Sequence, residues 1–359
     1  MRAALPSSPM PPPSDVFDVV IVGAGPAGLF AAFYAGMRNL RTLVLEGLPR
    51  PGGQITALYP EKYIYDVGGQ TAVLGRDLVA ELYKQAAQFG AEFRFDERVE
   101  RLEVKAPGDL RLTTARCEYR SRTAILCAGL GAFRPNRLEV PGARELEGRG
   151  VGYVVGARDK FLGRRVLVVG GGDTAVDWAL ELRRWAREVI LAHRLDYFEA
   201  HQHSVLALGE SGVRVLTLHQ LEAIEGKAQV ERAILVNARS GEKLTLPVDD
   251  VLVCIGFKAD LGPIKEWGLK LAGRTLLVSN SMETNLPGVF AAGDIAVADG
   301  ALSMNLIASG FGQATMAVGC ANRFIHPRAQ VFHGHSSQRK GMKYLPTPGA
   351  PGEHKGEVP

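Results

Sequence analysis

Two glycine-rich hexapeptides carry the spacing best suited to chemistry: GAGPAG at 23–28 and GGGDTA at 170–175. The first follows the apolar run DVVIV at 18–22 and leads into an apolar, helix-compatible stretch at 29–37. That order predicts a buried strand turning sharply into a helix. Gly23 permits the turn, Gly25 lets a pyrophosphate approach the backbone next to Ala27, and Gly28 lets helix and strand pack closely. The amides at the helix start, on the positive end of its dipole, then hold the phosphates. A second apolar run at 41–46 ends in Glu46, placed to accept hydrogen bonds from a ribose 2′-hydroxyl.

The second hexapeptide repeats the arrangement. RVLVV at 165–169 precedes it, a helical stretch is expected at 176–188, and a strand at 189–192. Gly170, Gly172, Asp173, Thr174 and Ala175 form a GxGxxA turn, and the strand ends in His193 and Arg194 instead of an acid. Guanidinium and phosphate pair by charge and geometry, so Arg194 favours a ribose 2′-phosphate, which selects NADPH. Arg183, Arg184 and Arg187 are expected to close the intervening helix, where the dipole favours cations.

The rest of the chain must position these turns. At roughly 150 residues per domain, 359 residues make two or three compact units. With 46% apolar and 22% charged residues the chain is globular, which excludes a disulfide-stapled miniprotein and general disorder. The net charge is +4, and most of that excess falls after Ile325, so nothing points to nucleic acid. Four cysteines, at 117, 127, 254 and 320, make no CxxC and no metal-ligand spacing. A reducing, cytoplasmic setting with free thiols and no metal is the expectation. The pair His201 and His203 reads as surface or pocket-lining. Residues 19–37 lack any charge over about the length of a membrane span, but Gly23, Gly25, Pro26 and Gly28 interrupt the run, so neither export nor insertion is expected. A Pro/Ser-rich leader at 1–14 and a tail from Arg339 read as flexible.

A third motif, TNLPGVFAAGD at 284–294, joins two strand-like runs that end in Gly129 and Gly256. The array resembles the two-dinucleotide flavoprotein reductases of the thioredoxin reductase type, from about Asp18 to about Ser337. The resemblance implies an α/β fold with two Rossmann-like domains, the NADPH domain inserted in a split FAD domain. The implied FAD-binding domain takes residues 15–140 and 259–333, and the NADPH-binding domain residues 141–258. Residues 334–359 are the implied C-terminal flavin-covering segment and tail. FAD belongs to the first turn, and Asp294 reaches its ribityl chain. The dithiol of thioredoxin reductases is missing: no cysteine lies in GVGYVVGAR at 150–158. A closer likeness is to ferredoxin–NADP reductases built on this fold, through PGGQITALYPEKYIYDV at 51–67, GAFRP at 131–135, GGGDTAVDW at 170–178 and GHSS at 334–337.

By that likeness Gln54, Tyr59, Val99 and Phe133 are FAD contacts, with Tyr59 stacking on the isoalloxazine. His335, Ser336 and Ser337 cover its opposite face from the partner subunit of a homodimer. Leu195 stands where these relatives commonly have a second arginine. The implied reaction passes hydride from NADPH to flavin N5, then single electrons to ferredoxin or flavodoxin, with no acid–base side chain required. Two other readings remain open: an NADPH-dependent disulfide, quinone or oxygen reductase without an internal dithiol, and a flavin redox sensor that does not turn over.

Overall fold

A computed structural model describes residues 16–301 and 304–329; of residues 132–134 only the backbone is described. The chain forms two sheet-centred units, the first with a mixed sheet and the second with a parallel one. In the first, the strand order is Glu92–Arg94, Thr42–Leu45, Val16–Val22, Glu118–Leu126, Asp109–Thr114, Val99–Ala106. The strand Val289–Ala291 returns from much later in the sequence to pair in parallel with Glu118–Leu126. Val19, Val20 and Ile21 are fully buried, as expected of a central strand paired in parallel on both sides and covered on both faces. Helix Pro26–Met37 packs beside helix Ile307–Ile325, and both contribute alanines and glycines to their contact.

The second unit has five parallel strands in the order Val151–Gly152, Asp250–Val253, Arg165–Val169, Glu188–Ala192, Arg214–Leu216. Helix Asp173–Leu182 covers one face around Trp178 and Phe161. An antiparallel ribbon, His219–Glu225, Arg232–Asn237 and Lys243–Pro247, contributes Leu221, Leu235 and Leu246 to the core on the other. The two chain crossings between the units, Ala132–Pro135 outward and Phe257–Asp260 back, pair with each other as an antiparallel ribbon.

The glycine turns begin as expected, but the second helix is shorter than its sequence pattern predicts. It ends at Leu182, not 188. Trp185 N–H donates to the Leu182 carbonyl at 2.9 Å and Arg187 N–H to the Arg164 carbonyl at 2.9 Å, so the chain turns and is already entering the next strand. Arg183, Arg184 and Arg187 therefore lie past the helix instead of in its last turn. Arg183 still serves the helix end, donating to the carbonyls of Leu180 and Ser211 at 3.2 and 3.1 Å.

Candidate active site

Both glycine turns are built by the same backbone constraint. Gly23 has φ +106°, and a β-carbon there would lie 2.4 Å from the Cys127 carbonyl oxygen. Gly170 has φ +152°, and its β-carbon would lie 2.2 Å from the Cys254 carbonyl oxygen. In each unit the cysteine ends the central neighbouring strand and donates its N–H back across the sheet, Cys127 to Val22 at 2.8 Å and Cys254 to Val169 at 2.7 Å. Burial pushes both thiols up to about 12, so they pack as small apolar groups and stay protonated. All four cysteines are free.

The first turn opens into a cavity of about 330 Å³ lined by Gly23, Gly25, Ala27, Glu46, Gln54, Tyr59, Val99 and Asp294. A β-carbon on Gly25 would meet nothing within 4 Å, so this backbone faces open space. Gly28 does not: its β-carbon would stand 1.9 Å from the Gly23 carbonyl oxygen, which seals helix against strand behind the turn. Glu46 is 8% exposed and holds the rim together. Its carboxylate accepts the N–H of Ala24 at 2.7 Å and of Leu48 at 2.8 Å. Burial pushes its carboxyl above the ordinary range, and the backbone donors pull it back.

In the same cavity Gln54 donates to Asp294 at 3.4 Å. The Gly293 N–H donates to Gln313 Oε1 at 2.8 Å, which fixes the turn that presents Asp294. Burial raises the Asp294 carboxyl, with Gln54 opposing. Tyr59 lines the same cavity, its phenol held protonated first by burial and then by the negative charges of Asp294 and Asp66. The start of helix Ile307–Ile325 also faces this space. Gly310, Gly293 and Ala27 converge there, with a Gly310 β-carbon position only 3.4 Å from Ala27 Cβ. These features fit a dinucleotide: glycine backbone facing open space, a buried carboxylate, and a half-buried aromatic ring and amide line one cavity.

Sequence reading did not find Arg98, Trp267, Ile307 and Gly310, which also line the cavity. Trp267 is fastened by its indole N–H to the Glu100 carbonyl at 3.1 Å, and Gly262 leaves the room that the Arg98 guanidinium occupies. Their only sequence signal is glycine within an apolar helix. The backbone of Phe133 pairs with Ala259 in the crossing ribbon. His335, Ser336 and Ser337 lie outside the described residues.

Around the second turn, Gly172 precedes the helix, and the carboxylate of Asp173 accepts the N–H of His201 at 2.7 Å. Thr174 is exposed and Ala175 is buried. The His193 ring covers Gly171 and stacks on Phe198 with centroids 5.5 Å apart. Its Nε2 is buried without a hydrogen-bond partner, and burial followed by the Arg194 charge lowers the imidazole pKa. Arg194 is exposed. An exposed arginine and an orphaned ring nitrogen beside a glycine turn fit the phosphate-bearing end of a nucleotide. His201 and His203 belong to no group able to hold a metal ion among the described residues.

The two turns are linked by ion pairs across the units. Lys62, three residues beyond Tyr59, pairs with Asp177 on the second helix. Arg158, 12% exposed, bridges Glu61 at 3.2 Å and Glu181 at 2.6 Å, between the rings of Tyr63 and Trp185. Glu61, 5% exposed, also takes Arg76. The segment that carries Tyr59 is thus tied to the helix that opens the second turn.

A family model for pyridine nucleotide-disulphide oxidoreductases matches residues 17–321, and the chain belongs to that family. Among curated relatives, it is 46% identical over 324 residues to ferredoxin–NADP reductase 2 of Shouchella clausii, covering 90% of this chain and 98% of the relative. Likewise it is 47% identical over 332 residues to the ferredoxin–NADP reductase of Thermus thermophilus, covering 91% and 98%. Among solved structures, Lactococcus lactis thioredoxin reductase in its FR conformation superposes with a TM-score of 0.72 at 26% identity, covering 87% of this chain and 99% of that one. The fold is thioredoxin reductase-like. Among the described residues no helix is long and apolar enough to cross a membrane.

Proposed function

We propose that this chain is a ferredoxin–NADP reductase: a FAD-dependent oxidoreductase that moves electrons between NADPH and ferredoxin. One observation carries the choice within the family. Two dinucleotide turns are present, each with a buried single cysteine behind it, and no two cysteines are close enough in sequence or joined in space to serve as a dithiol. Electrons that enter from the nicotinamide have no internal thiol pair to receive them. Close similarity over nine-tenths of the chain to proteins named as ferredoxin–NADP reductases supports the same reading.

In this reading residues 15–140 and 259–333 bind FAD, residues 141–258 bind NADPH, and residues 334–359 form the flavin-covering segment and tail. When bound, the flavin supplies the conversion of a two-electron hydride from the nicotinamide into single electrons for an iron–sulfur partner. The chain supplies position and charge. Gly23, Gly25, Ala27 and Gly28 hold the pyrophosphate, Glu46 the adenosine ribose, Asp294 and Gln54 the ribityl end. Tyr59 offers a neutral ring for stacking, with Val99 and Phe133 completing the contact. Gly170, Gly172, Asp173, Thr174 and Ala175 hold the NADPH pyrophosphate, and His193 with Arg194 the 2′-phosphate. His335, Ser336 and Ser337 reach the flavin of the partner subunit in a homodimer. Flavodoxin is an alternative acceptor, and the setting is cytoplasmic.

The test is anaerobic. NADPH is mixed with the purified yellow protein, and electron delivery to a low-potential ferredoxin is followed by absorbance. Bleaching of the flavin followed by ferredoxin reduction is expected. If ferredoxin stays oxidised while a disulfide, quinone or oxygen is consumed, the named acceptor is wrong.

A further inference from the structure

The second turn carries the signatures of both nicotinamide nucleotides. A Rossmann site recognises an unphosphorylated ribose through an acid that accepts from the 2′-hydroxyl, and a 2′-phosphate through an arginine placed nearby. Arg194 stands at the strand end as the second signature requires, exposed and without an ion-pair partner among the described residues. Glu199 supplies the first. Its backbone runs against the glycine turn, with its N–H donating to the Gly171 carbonyl at 2.8 Å and a parallel bridge between Gly172 and Glu199. Its side chain is exposed, and its charge reaches His193, where it opposes the loss of the imidazole proton.

The local charge count favours no phosphate. The 2′-phosphate brings a charge of about −2 at neutral pH. On the strand end it is met by the full charge of Arg194, with His193 beside it. Residue 195 is leucine, Asp196 is offset by Arg239 at 4.0 Å, and His193 is held towards its neutral form by burial. Glu199 adds one negative charge of its own, and Asp173 adds a second one turn away. We propose that Glu199 is a specificity-determining residue that opposes the 2′-phosphate and accepts from a free 2′-hydroxyl, so that this enzyme uses NADH as well as NADPH. The inference rests on the reductase reading above, and it concerns only the electron donor.

The FAD-loaded, full-length protein is mixed anaerobically with NADPH or NADH, and the rate of flavin bleaching is followed against nucleotide concentration. The wild-type preference for NADPH is expected to be less than about tenfold, since one arginine and one acid act in opposition. In Glu199→Gln the apparent dissociation constant should fall about fivefold for NADPH and rise about threefold for NADH, a split in opposite directions. Glu199→Arg should raise the NADPH preference at least about tenfold, and added salt should erase most of that gain. A wild-type preference above about a hundredfold overturns the proposal. So does an equal shift for both nucleotides in the two variants, which would make Glu199 a scaffold residue. If either nucleotide bleaches the flavin but ferredoxin is not reduced, the acceptor assignment fails while the donor inference stands. If neither bleaches it, both fall.

Discussion

Gly23 and Gly170 press against the carbonyl of a cysteine in the same way, yet the residue that finishes each site lives in a different medium. Glu46 is almost wholly buried and bonded to two backbone amides, whereas Arg194 and Glu199 stand in solvent. The first turn opens into a cavity closed by a helix start and a tryptophan from a distant segment. A ligand held there would be largely desolvated. At the second turn the recognition groups are exposed, and charge–charge attraction across water is weak and screened. In the proposed reading the same backbone device serves a resident cofactor in one place and an exchanging one in the other.

The largest effect should come from removing the clearance behind the first turn. Gly28→Ala places a β-carbon 1.9 Å from the Gly23 oxygen, and neither backbone can give. A loss of at least about 3 kcal/mol and release of the flavin are expected, read by thermal melting and by the yellow absorbance. The matching position in the second turn is already alanine, and Ala175→Gly should cost only about 1 kcal/mol. Equal losses at the two positions would break the comparison.

Next, Glu46→Ala leaves the Ala24 and Leu48 amides without their acceptor in a buried place. About 2–3 kcal/mol of flavin-binding or folding free energy should be lost, measured by flavin titration of the apoprotein beside its melting curve. Arg194→Ala should raise the NADPH dissociation constant about tenfold, close to 1.4 kcal/mol, with little change for NADH. Unaltered NADPH binding would remove Arg194 from the 2′-phosphate site.

The smallest effect concerns the base of each central strand. In the second unit the Asp249 carboxylate accepts from the Arg165 backbone N–H at 2.8 Å and from its guanidinium at 2.7 Å, and these bonds hold its pKa down to about 2. The folded state binds this proton less readily than the unfolded chain does. The contribution is therefore complete above the ordinary value of about 4 and disappears as pH falls through about 2. Denaturation of wild type and Asp249→Asn across that range should differ at pH 6 and converge in acid. In the first unit the matching acid, Asp18, accepts the Arg41 N–H at 2.9 Å and pairs with Arg122 at 3.7 Å.

Much of this protein was legible in order along the chain. The two turns, the strands that enter them, Glu46, Arg194 and the Gly-Asp turn at Asp294 are local patterns, and each follows from what a neighbouring bond or carbonyl will tolerate. A glycine with positive φ before a helix states its own constraint. Closure of the first site was not legible, because Arg98, Trp267 and Gly310 come from segments far apart in sequence and meet only when Val289–Ala291 rejoins the first sheet. The early end of the second helix was hidden too, since Trp185 and Arg187 are diverted by hydrogen bonds and not by any helix-breaking residue. The return of Glu199 onto Gly171 belongs to the same class. Its identity is in the sequence, but only the folded chain brings its charge to bear on His193, which the Arg194 charge also reaches, because Coulomb interactions depend on distance through space and not along the chain.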